Sequence, residues 1–86
     1  MIVTERWIIT IPENEIKNQA LKDMLKKFPT LVIDLIEARI PPARRDEKRF
    51  EVMTIEIKGE ESEIRAAKYY LAGRKIKIEF SIISDI

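Results

Sequence analysis

The 86-residue sequence predicts an α+β fold, a four-stranded antiparallel sheet with two helices on one face, in the order β-α-β-β-α-β. Three observations predict it. Four stretches alternate apolar and polar residues with period two, as half-buried strands do. Two others carry apolar residues three and four apart, as amphipathic helices do. Each helical stretch lies between two strands, so the chain reads as two β-α-β halves in tandem.

The first strand is "VTERWIITI", residues 3–11. Val3, Glu5, Trp7, Ile9 and Ile11 share one face, and β-branched residues dominate the run. Pro12 ends it. Asn14 is the expected N-cap of the first helix, with Glu15 in the first turn where a negative charge suits the helix dipole. Ile16, Ala20, Leu21, Met24, Leu25 and Phe28 form that helix's apolar stripe, and Pro29 stops it. The second strand is "TLVIDLIEARI", residues 30–40. Strict alternation gives Leu31, Ile33 and Leu35 one face and Val32, Asp34, Ile36, Ala38 and Ile40 the other. The third strand is "RFEVMTIEIK", residues 49–58, broken by Gly59. The second helix spans 60–73, with acids in its first turn, Ile64, Ala67 and Leu71 as its stripe, and Gly73 as its left-handed cap. The fourth strand is "KIKIEFSII", residues 75–83.

This order is the split βαβ, ferredoxin-like sandwich, and it makes residues 1–86 a single domain. Right-handed crossovers place both helices on one sheet face. The expected core rows are Trp7/Ile9/Ile11, Leu31/Ile33/Leu35, Met53/Ile55/Ile57 and Ile76/Ile78/Phe80. The opposite face carries Ile8, Val32, Ile36 and Val52 among polar residues. Four aliphatics on a face with no helix to cover it predict a homodimer interface. Strands two and three form a hairpin whose tip is the proline-led basic run "ARIPPARRDEKRF", residues 38–50.

Composition narrows the function. Charged residues are 36% of the chain, yet the net charge is only +1, far from the excess of a dedicated nucleic-acid binder. There is no cysteine and no histidine, which excludes disulfides, thiolate metal sites, thiol nucleophiles and the commonest general base. The "EESE" run at 60–63 is explained by its place at a helix N-terminus. No catalytic residue, metal site or cofactor is expected, and the chain is not read as an enzyme. The start has no leader-like apolar core, and no segment nears the roughly 20 apolar residues of a membrane span. A cytoplasmic location without membrane insertion is expected. Sixteen isoleucines, dense mixed charge and three Asn or Gln residues point to a thermophile. RNA-binding domains of this topology stack bases on aromatics of the central strands. Here those positions hold Ile8, Thr10, Val52 and Thr54. Nucleic acid is left to the tip, through Arg39, Arg44, Arg45, Lys48 and Arg49. That alternative makes the chain a nucleic-acid-associated accessory protein, whereas the simpler expectation is a solvated loop.

Several stretches resemble the NIL domain, the small regulatory domain at the C-terminus of methionine-importer ATPases, which also occurs alone or fused to ferredoxin modules. In "DLIEARI", Asp34, Leu35 and Ile36 stand where that family has its Asn-Ile-Leu run, and Ile40 matches a later Ile. "IEIKGEE" matches the end of the family's third strand, with Glu56 and Gly59. Ile64, Ala67, Tyr70 and Leu71 match its second helix, and "ALKDML" its first. The resemblance covers roughly residues 3–83. It implies a ligand-sensing or interaction domain that works as a dimer, with a methionine-like amino acid bound near the subunit interface and a partner protein as the target of regulation. The residues it implies for the ligand are Asp34, Leu35, Ile36, Glu37 and Ala38 on strand two, with Gln19 and Ala20 on the facing helix.

Overall fold

The computed structural model describes residues 1–17, 19–42 and 49–85. Its elements are β1 (Ile2–Pro12), α1 (Glu13–Lys17), α2 (Ala20–Lys27), β2 (Val32–Arg39), β3 (Phe50–Glu60), α3 (Glu61–Gly73) and β4 (Lys77–Asp85). The strands form one antiparallel sheet in the order β2-β3-β1-β4. The core lies between this sheet and the helices. Trp7, Ile9, Ile55 and Ile57 of the two central strands meet Ala20 and Met24 of α2 and Ile64, Ala67 and Leu71 of α3. The split βαβ arrangement is therefore as the sequence predicts. Among the described residues, no helix is long and apolar enough to cross a membrane.

Local departures from the sequence reading have identifiable causes. The first helix is two helices. Between them Gln19 adopts a left-handed conformation, φ 54° and ψ 53°, and its carbonyl accepts the Asp23 N–H at 3.1 Å. Asn14 lies within α1 rather than capping it. Gly59 does not break β3; it pairs with Val3, and the strand runs on to Glu60. Its missing side chain has a packing reason, because a Cβ there would collide with the Leu31 side chain.

The left-handed cap of α3 is Lys75, not Gly73. Lys75 has φ 62°, and Gly73 is the last helical residue. The Ile76 N–H reaches the Leu71 carbonyl at 3.1 Å and the Lys75 N–H reaches that of Ala72 at 3.0 Å. This is the Schellman pattern, and buried Leu71 and Ile76 occupy its hydrophobic-contact positions. A residue with a Cβ pays about 1–2 kcal/mol in this conformation, more than the extra chain entropy of glycine, about 0.5–1 kcal/mol. Lys75→Gly is therefore expected to stabilise the fold by roughly 0.5–1 kcal/mol in urea unfolding. A loss of stability would show that the lysine side chain has another role.

A β-bulge alters β2. Leu35 pairs with Ile55, but the next pair is Glu37 with Thr54, so Ile36 is an extra residue. Beyond it the faces exchange. Glu37 and Arg39 lie on the open face, and Ala38 lies on the helix side beside Met53. Strict alternation had placed them the other way.

The helices cover the two central strands and only part of each edge strand: Ile33 and Ile78 pack against the core. The 13 residues of α3 extend roughly 20 Å, whereas the 11 residues of β3 extend roughly 36 Å. Across one row, Leu35, Ile55, Trp7 and Phe80 stand side by side on the helix side. The central pair is fully buried, but Leu35 and Phe80 are 58% and 55% exposed. Both were expected in the core; both lie on edge strands.

Candidate functional site

The residues implied for a ligand fall on two surfaces. Gln19 and Ala20 line a cleft of about 210 Å³ with Ile11, Glu51 and Met53. Ala38, paired with Met53, lies at its side. Leu35 is on the same face, further along β2. Asp34, Ile36 and Glu37 are on the other side of the sheet, the first two by alternation and Glu37 through the bulge. Asp34 pairs directly with Glu56, and like charges so placed repel. Arg6 relieves that repulsion with an ion pair to Glu56 at 2.7 Å. Among the described residues, no three acidic side chains converge as a metal site requires.

The open face brings together three of its four aliphatics. Thr54 lies between Ile8 on β1 and Glu37 on β2, the unpaired Ile36 precedes Glu37 at the bulge, and Val52 lies one row on. Val32 is set apart by the polar row Asp34, Glu56 and Arg6. The central patch is therefore Ile8, Ile36, Val52, Thr10 and Thr54, with Ile36 half exposed at the bulge. Of the basic tip, residues 43–48, including Arg44, Arg45 and Lys48, lie outside the described residues; Arg39 is on the open face opposite Val52.

Two charged clusters were not read from the sequence. Glu5 points into the core and is 6% exposed. Its Oε1 accepts the Trp7 Nε1–H at 2.9 Å and a Lys68 Nζ–H at 3.0 Å. The Lys68 ammonium also lies 3.5 Å from the centre of the Phe80 ring, a cation–π contact. The signal in the sequence was Glu5 itself, a carboxylate on the inward row between Val3 and Trp7, which requires a partner. In the second cluster Arg74 ties the helices together. Its guanidinium donates to Glu15 of α1 at 2.8 Å, Asp23 of α2 at 3.0 Å and the Tyr70 hydroxyl of α3 at 3.0 Å. The hydrogen bond to Asp23, then those to Tyr70 and Glu15, raise its pKa further.

Beside the first cluster runs a groove of about 390 Å³ between α3 and the edge strand β4. Arg65, Lys68 and Tyr69 form its helix wall, and Ile76, Ile78 and Phe80 its strand wall.

No protein-family model matches the chain, and no curated protein sequence does. Solved structures do. An uncharacterized protein from Thermotoga maritima is similar with a TM-score of 0.66 at 13% identity, over 98% of this chain and 100% of that one. A protein of unknown function from Galdieria sulphuraria gives 0.69 at 12% identity, over 96% of this chain and 50% of that one. The C-terminal domain of an ABC transporter ATP-binding protein from Enterococcus faecalis gives 0.55 at 17% identity, over 98% and 86%. The likeness is one of fold.

Proposed function

We propose that the chain is a non-catalytic regulatory domain of the NIL type. It dimerises through the open face of its sheet and responds to a small amino acid such as methionine. The observation that carries this reading is the patch of Ile8, Ile36 and Val52, on a face that the chain's own helices leave uncovered. The likeness in fold to the C-terminal domain of a transporter's ATP-binding protein supports it.

The bulge gives the reading a mechanism. Ile36 belongs both to the aliphatic patch and to the strand-two residues implied for the ligand. A ligand beside it would favour one packing of two sheets over another, and its differential affinity for the two would be the regulatory signal. Couplings of this kind are typically about 1–3 kcal/mol.

The wild-type protein is expected to sediment as a dimer at tens of micromolar, roughly the concentration that micromolar dimers require. Ile36→Lys should shift it to monomer with an unchanged circular dichroism spectrum. A monomeric wild type would remove the dimer. In a thermal-shift screen of amino acids, methionine or a relative should raise the melting temperature, because a ligand of the folded state stabilises it by mass action. The absence of any shift at millimolar concentration would leave an interaction role without a ligand.

A further inference from the structure

We infer that the groove between α3 and β4 binds a monocarboxylate with an apolar tail. It goes beyond the ligand-sensing reading by adding a second site, for a ligand without an amine, at the opposite edge of the sheet from β2. The groove's volume, about 390 Å³, falls within the range of small-molecule pockets. Its strand wall is entirely apolar, with Ile78 and Phe80 on the helix side of β4 and Ile76 just before the strand begins. Its helix wall carries two cations one turn apart, Arg65 and Lys68.

Both cations have donors to spare. Lys68 has three N–H donors and gives one to Glu5, which holds the ammonium in place over Phe80. Arg65 pairs with Glu61 at 3.3 Å, and both side chains are more than half exposed. Such a pair contributes at most about 1 kcal/mol and exchanges readily. A carboxylate entering the groove would take Arg65 from Glu61 and accept a free Lys68 donor, while its tail covers the strand wall.

The charges also limit the ligand. Arg65 and Lys68 repel an amine, and the ring face that would attract one already holds Lys68. A phosphate dianion would set its second charge against Glu5 and Glu61. One negative charge on an apolar body suits the groove best.

The test is calorimetric titration of the whole chain with octanoate, octanol and octylamine. Octanoate is expected to bind about tenfold or more tightly than octanol, the usual worth of a charge-assisted hydrogen bond, and octylamine not to bind. Arg65→Ser should remove most of the difference between octanoate and octanol. Ala72→Trp should abolish binding, because exposed Ala72 also lines the groove and indole would fill it without touching the core. Circular dichroism checks the fold of each variant. Equal affinity for octanoate and octanol, no octanoate binding up to about 10 mM, or unchanged binding in a folded Ala72→Trp variant each overturns the inference. A methionine-induced thermal shift should persist in Ala72→Trp, because the groove repels an amine; its loss there would place an amine-bearing ligand in the groove and overturn the inference.

Discussion

Trp7→Ala is expected to remove a large share of the stability of the fold. Trp7 is fully buried at the centre of the sheet, and its indole spans the layer between β1 and the helices. Truncating a buried tryptophan costs about 3–5 kcal/mol in lost transfer energy and cavity formation. A chain of this length has roughly 0.05–0.15 kcal/mol of stability per residue, about 4–13 kcal/mol in all. The truncation also takes the Nε1–H from the buried Glu5 carboxylate. Trp7→Phe separates the two losses, since it keeps an aromatic ring but not the donor, and should fall between wild type and Trp7→Ala. The measurement is urea unfolding followed by circular dichroism, because Trp7 is the only tryptophan and its fluorescence is lost with it. A loss below about 1 kcal/mol for Trp7→Ala would mean that the cavity collapses.

Lys68→Met is expected to cost about 2–3 kcal/mol. Removing one member of a buried ion pair leaves the other charge without its counter-ion, typically about 3–5 kcal/mol. The lysine side chain is 22% exposed, so water recovers part of that cost. The informative comparison is the double variant Glu5→Gln/Lys68→Met. The new amide oxygen on β1 would still accept the Trp7 Nε1–H, and the thioether on α3 would still lie against Phe80. The pair of neutral residues should therefore lie within about 1 kcal/mol of wild type, as neutral replacements of buried ion pairs often do. If the double variant is no more stable than Lys68→Met alone, the Glu5–Lys68 contact does not account for the loss.

The fold was legible because four alternating runs and two helical stripes leave few ways to connect them. What the sequence did not disclose has a physical reason in each case. The run Val32–Arg39 holds apolar Leu35 and Ile36 side by side, so nothing in its pattern says which of them the bulge displaces. Gln19 is an ordinary helix residue, and only the tertiary fit of two short helices places it in the left-handed region. Alternation tells which face Phe80 and Leu35 occupy but not whether a helix reaches far enough to cover them. The ligand residues implied by resemblance run consecutively along strand two, so alternation alone divides them between two faces. The bulge exchanges Glu37 and Ala38 between those faces, leaving Gln19, Ala20 and Ala38 around Met53.

The inward-facing carboxylate of β1 bears on how the chain avoids the wrong pairing as it folds. β1 is an 11-residue run paired on both sides, and from Trp7 to Ile11 its inward positions are all large and apolar. Sliding such a strand by two residues keeps every side chain on its proper face, so the hydrophobic pattern alone hardly distinguishes one alignment from its neighbour. Glu5 breaks that degeneracy. Displaced by two positions, it would enter the row of Gly59 or that of Ile55 and leave the reach of Lys68. A bare carboxylate in the interior is a steep penalty for misalignment. The neutral double variant, although nearly as stable, should then refold less faithfully, with a second set of amide resonances from slipped chains. A single set, as sharp as wild type, would show that the turns alone hold the alignment.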